Sequence, residues 1–142
     1  MTQSKKEKPV KKATYGNWAS KITSDLIVAD SISIDEARQV DNSLYYVERR
    51  PQEDGRGVIV ESCDGKTADI LPAPFSARSR VHEYGGACFC VHDDSVFFVN
   101  DSDQDIYLIE GPQVKRITAA DNRRFADISY DHRNKRLVAI SE

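Results

Sequence analysis

Arg80, His82, Glu83 and Tyr84 sit within five residues of one another, in the stretch Arg-Val-His-Glu-Tyr-Gly-Gly (80–86). A guanidinium can hold a carbonyl or a carboxylate through paired N–H donors, and a carboxylate can hold a free amine. An imidazole can move a proton near neutral pH. A general base also needs a nucleophile and an oxyanion donor beside it, and neither is identifiable in the sequence around His82. A purely architectural reading is the leading expectation. Gly85 and Gly86 permit backbone angles and close approaches denied to other residues. They lead straight into Ala-Cys-Phe-Cys-Val-His-Asp (87–93), a strand pattern. On that reading Tyr84 packs, Arg80 pairs with Glu83, and the stretch is how the backbone enters a sheet.

Other reactive groups are weaker. Cys88, Cys90 and His92 alternate and so share one face of a strand. Residues i and i+2 of a strand stand roughly 6.5 Å apart, thiolates around a zinc must converge more tightly, and Cys-x-Cys alone is a weak motif, so small buried side chains are the expectation and no metal is assigned. Asp-Ser-Asp-Gln-Asp (101–105) looks like a calcium loop, but an EF-hand starting at Asp101 needs Gly at position 106 and Glu at 112. The sequence has Ile106 and Pro112, which suits a polar hairpin better. Glu48, Arg49 and Arg50 read as part of a solvated loop. Trp18, with Tyr15 and Gly16, reads as an aromatic staple for the N-terminal segment. No cofactor is expected.

Charge and composition narrow the class. Residues 1–12 carry five lysines and one glutamate, so the rest of the chain is strongly acidic against a net charge of −3. The cluster reads as a disordered tail over 1–13. The acidic body would repel phosphate, which argues against nucleic acid. No apolar run approaches the ~20 residues that span a bilayer. The start has lysines without a following apolar segment, unlike an export signal, so a cytoplasmic location is expected. Three cysteines make no disulfide framework and suit a reducing compartment.

These groups must be carried by short strands. Residues 31–40, 43–51, 57–62 and 67–72 read as four strands separated by turn signals, Asp64-Gly65 among them. The pattern returns over 87–93, 95–101, 104–110 and 114–118. It starts a third time with 125–131 and 136–142. Four short strands recurring at this spacing are the signature of a β-propeller blade. The fold class is therefore all-β: a partial propeller over 14–142, about two and a half four-stranded antiparallel blades, near 31–72, 87–118 and 125–142. Only Ile22–Asp30 reads as a short helix, capped by Thr23 or Ser24. Closed propellers have at least four blades, and a blade must bury its flat faces against neighbours. Part of a larger protein, or a protein that assembles with copies of itself, is expected.

Four segments, in order, carry a family resemblance: Tyr-Gly-Asn-Trp-Ala-Ser-Lys-Ile-Thr (15–23), residues 45–56, Arg-Val-His-Glu-Tyr-Gly-Gly (80–86), and residues 124–142. From Tyr15 onward the chain resembles the N-terminal propeller of the prolyl oligopeptidase family of serine peptidases, nearest the acylaminoacyl-peptidase and dipeptidyl-peptidase-like branch. The resemblance implies a propeller that limits access and shapes substrate size for an α/β-hydrolase domain. That domain would hold the catalytic serine in a Gly-x-Ser-x-Gly elbow. These 142 residues contain no such motif, so no catalytic residue transfers, and the chain alone is expected to have no activity. Arg80, His82, Glu83 and Tyr84 become candidates for contact with substrate or with the hydrolase domain. The implied partners are that domain and short peptides. Two rival readings stand beside it: a self-assembling propeller module that binds a protein or small ligand, with association through an open blade edge, and a non-functional truncated product.

Overall fold

The computed structural model describes residues 12–17, 20–28, 31–119 and 121–142. Residues 1–11 of the lysine-rich segment, and Trp18, lie outside them. A short helix, α1 (Ser24–Val28), precedes the strands. Thr23 is its cap: the Leu26 amide donates to Thr23 Oγ1 at 3.1 Å.

Ten strands follow in three antiparallel sheets. β1 (Ser33–Val40), β2 (Ser43–Arg50), β3 (Arg56–Cys63) and β4 (Lys66–Asp69) form the first, in chain order. β5 (Phe89–His92), β6 (Ser95–Val99), β7 (Ile106–Glu110) and β8 (Gln113–Arg116) form the second. β9 (Phe125–Asp131) and β10 (Arg136–Ser141) form the two-stranded third. This is the partial propeller that the recurring strand pattern predicts. Turn chemistry sets the hairpins. Asp64 and Gly65 both have positive φ, 50° and 74°, as a two-residue hairpin matching the strand twist requires. Asp131 accepts from the amides of Arg133 and Asn134 to close the β9–β10 turn.

The sheets pack face to face through one core. Val47 and Ile59 of the first sheet, Phe89, Phe98 and Val99 of the second, and Ile128 of the third are all buried. Phe75, in the connection between sheets, meets the rings of Phe98 and Tyr107 at 6.0 and 5.3 Å. Tyr130 of β9 stacks on His92 of β5 at 3.7 Å, which seals the second seam. The leading strands β1, β5 and β9 border a shared cavity of about 390 Å³ that touches Arg38, Cys90 and Ser129. Lining one cavity in this way is what the inner strands of neighbouring propeller blades do.

One sequence expectation fails here. Glu48, Arg49 and Arg50 belong to β2, and the loop is confined to a 3-10 turn at Pro51–Glu53 with Asp54 and Gly55. The side chains are engaged as well. Arg50 bonds Glu48, Glu53 and Asp69, and Arg49 bonds Asp35 at 2.8 Å. A proline at 51 ends the strand only after these residues have paired with β3.

Candidate functional site

The Arg-Val-His-Glu-Tyr-Gly-Gly stretch is a turn over residues 81–84 between a clamped connector and β5. The connector, residues 76–80, is held from both complete sheets. The Ala77 amide donates to the Gly57 carbonyl at 2.9 Å, and the Arg78 amide donates to the Val99 carbonyl at 3.0 Å. Asn100 Oδ1 accepts from the Ser76 amide. Buried Gln104 accepts from the Arg80 amide at 2.7 Å and donates to the Arg78 carbonyl at 3.2 Å. Thus Asp-Ser-Asp-Gln-Asp is the polar hairpin expected from its sequence, and it also grips the connector. Gln104 reaches it from a left-handed backbone, φ 62°.

The turn is anchored beneath and open above. Val81 is buried, and the Gly85 amide donates to its carbonyl at 3.0 Å. Glu142, at the end of β10, accepts from the His82 amide at 2.7 Å. Arg124 donates to the Arg80 carbonyl at 3.1 Å. His82 and Glu83 both have left-handed φ, 52° and 61°, each a strain of about 1–3 kcal/mol that the surroundings must overcome. Tyr84 is 97% exposed, so it does not pack as expected. Arg80 does not pair with Glu83 either; its guanidinium bonds Asp101 at 2.8 Å. The left-handed backbone aims the Glu83 side chain into solvent, and the β6–β7 hairpin supplies the nearer carboxylate. The four candidate residues therefore share one turn. Arg80 is tied to the hairpin, while His82, Glu83 and Tyr84 project.

The residues after the turn explain both glycines. A Cβ on Gly85 would meet the Ser79 carbonyl oxygen at 2.9 Å, and one on Gly86 would meet Ala126 Cβ at 2.8 Å. Two carboxylates then cap successive amides. Asp127 accepts from Ala87 N at 2.9 Å, and Glu36 accepts from Cys88 N at 2.6 Å. Glu36 and Asp127 stand at equivalent bulges in β1 and β9, with φ of 25° and 52°. Each is four residues before the end of its strand. A bulge redirects a side chain, and here both turn toward the start of β5. Sequence reasoning missed this pair. The available signal was the matching repeat position of Glu36, Cys88 and Asp127.

A cleft of about 680 Å³ opens between β1, β2 and this turn, with Arg38, Arg49, Arg78, Asp35, Glu36 and Tyr84 among its lining residues. Asp35 is taken by Arg49, and Glu36 lies 2.9 Å from Arg38. Burial pushes the Glu36 carboxyl above its ordinary 4.5, against the lowering effects of the Cys88 amide and Arg38. Burial also raises the Cys90 thiol to about 11 and raises Cys88 strongly. Both thiols stay protonated at neutral pH, and a protonated thiol is a poor nucleophile. They fill the core. The arrangement can hold and orient a polar ligand, but it contains no activated nucleophile.

No family model matches the sequence, and no curated protein matches it. Solved structures do. A puromycin-hydrolysing peptidase of Mycobacterium tuberculosis superposes with a TM-score of 0.79 at 27% identity, over 89% of this chain and 21% of that chain. A puromycin hydrolase mutant complexed with PGG superposes with a TM-score of 0.77, also at 27% identity, over 88% of this chain and 21% of that chain. This chain thus spans about a fifth of the length of those peptidases. The likeness agrees with the resemblance of the sequence to the propeller part of prolyl oligopeptidase family peptidases.

Proposed function

We propose that this partial propeller, similar to a stretch of puromycin-hydrolysing peptidases, is a non-catalytic portion of a serine peptidase. It gates and orients short peptides for an α/β-hydrolase domain. The observation that carries the reading is the likeness itself: 27% identity over 89% of this chain. The turn at 80–86 supports it, because a rigidly anchored turn that presents His82, Glu83 and Tyr84 beside a cleft suits a contact with a substrate or a neighbouring domain. In this reading Glu83 meets a free amine, Arg80 and Tyr84 border the path of the peptide, and His82 faces the hydrolase domain. The acylaminoacyl-peptidase-like branch and a cytoplasmic setting belong to the same proposal. The test is an assay of the purified chain with aminoacyl and acylaminoacyl amides, and with puromycin itself. No turnover is expected. Turnover that co-purifies with the chain and survives repurification would overturn the non-catalytic reading.

A further inference from the structure

The cleft beside the turn holds five charged side chains: Asp35, Glu36, Arg38, Arg49 and Arg78. Four of them stand in ion pairs, Asp35 with Arg49 and Glu36 with Arg38, although Arg49 Nη1 and Glu36 Oε1 are buried without a hydrogen bond. Among the described residues the Arg78 guanidinium has no ion pair and no hydrogen bond. The cleft therefore carries one surplus positive charge, with five N–H donors unassigned. Its backbone is pinned. The Arg78 amide donates to Val99 and its carbonyl accepts from Gln104, and its neighbours Ala77 and Ser79 are buried. An unbonded guanidinium on a fixed backbone, in a cleft whose other charges are paired, offers its fork of N–H donors to a planar anion.

We infer that Arg78 is a carboxylate-binding residue, and that the cleft takes peptides carrying a carboxylate. This rests on the peptide-orienting reading above and adds to it the charge class of the ligand. The carboxylate can be a peptide's terminal group or an acidic side chain, since both offer the same two oxygens. Tyr84, at the mouth of the cleft and almost wholly exposed, supplies a flat apolar surface for the part of the peptide beyond the carboxylate.

The test is an NMR titration of the full chain with three probes: Ala-Ala-Ala with a free C-terminus, the same peptide amidated, and amidated Ala-Glu-Ala. The free acid is expected to shift the amides of Ser79, Gly85, Gly86 and Cys88. Amidation should weaken binding roughly tenfold or more, the scale of losing one charge-assisted pair. Arg78→Gln should weaken the free acid to the level of the amide, and Arg78→Lys should recover part of the affinity. If amidated Ala-Glu-Ala binds like the free acid, the site takes side-chain carboxylates too; if it binds like amidated Ala-Ala-Ala, the site is specific for the terminus. Equal binding of acid and amide to the cleft would overturn this inference while leaving the peptide-orienting reading intact. Shifts unchanged by Arg78→Gln, or no shifts with any probe, would also overturn it. Arg78 is exposed, so its replacement should leave the spectrum otherwise dispersed.

Discussion

At the scale of single residues, two positions carry most of the geometry around the turn. Gly86 lies against Ala126 of the neighbouring sheet. Gly86→Ala should force the sheets apart and cost about 1–3 kcal/mol, the usual penalty of overpacking. Chemical denaturation would read it as a lower midpoint with an unchanged slope. Glu36 makes a different, pH-dependent contribution. Its carboxyl is raised by burial above 4.5, so the folded state binds its proton more tightly than the unfolded chain does. The contribution is full below about 4.5 and is lost as pH rises through the raised value. Glu36→Gln keeps an acceptor for the Cys88 amide but cannot ionise. Urea melts in steps from pH 4 to 7 should show the wild type losing stability relative to Glu36→Gln as pH rises. A constant difference would contradict the assignment. Sequence reasoning found the glycines, because glycine pairs before a strand announce a close approach. It did not find Glu36 or Asp127, because a bulge is a register event between two strands, and one strand's sequence does not show it. Tyr84 was misjudged for a related reason: the aromatic type suggested packing, while two consecutive left-handed residues before it turned it outward.

At the scale of elements, the strands were legible and their side-chain traffic was not. Short runs of β-branched and aromatic residues with Asp-Gly and Asp-Asp turns placed all ten strands. The β6–β7 hairpin, however, does more than connect. Through Asn100, Asp101 and Gln104 it holds the connector that feeds the turn. Gln104→Ala removes bonds to Arg78, Arg80, Asn100 and Asp101 from a buried position. A loss of about 1–3 kcal/mol is expected, with faster amide hydrogen exchange at Arg80–Gly85 than in β9 and β10. Equal exchange in both regions would mean that the hairpin does not secure the turn. The third sheet invites another prediction. Leu137 and Ala139 of β10 pack on the core, while Val138 and Ile140, on the opposite face, are each 47% exposed. A strand with one open edge and an apolar outer face tends to associate. Val138→Lys should reduce self-association in sedimentation measurements without lowering the unfolding free energy by more than about 0.5 kcal/mol, as for an exposed site.

At the scale of the whole molecule, the arrangement is two four-stranded propeller sheets and a two-stranded third, arranged so that β1, β5 and β9 line one cavity. The charged cleft and the projecting turn lie at the start of β5, where the middle sheet is capped by carboxylates from both neighbours. The repeat made this architecture readable from sequence, because blades recur and each copy checks the others. The cleft was not readable, since its walls come from residues 35–49 and 78–88, which only folding brings together. In the function proposed above, this chain orients short peptides at the turn and performs no chemistry on them. The measurement that tests it most directly is an amide chemical-shift map of the chain with a saturating unblocked tripeptide, recorded over several hours. Shifts concentrated in residues 78–88 and an intact peptide at the end are expected. Shifts confined to the outer strands β4 and β8, or cleavage of the tripeptide by the chain alone, would contradict it.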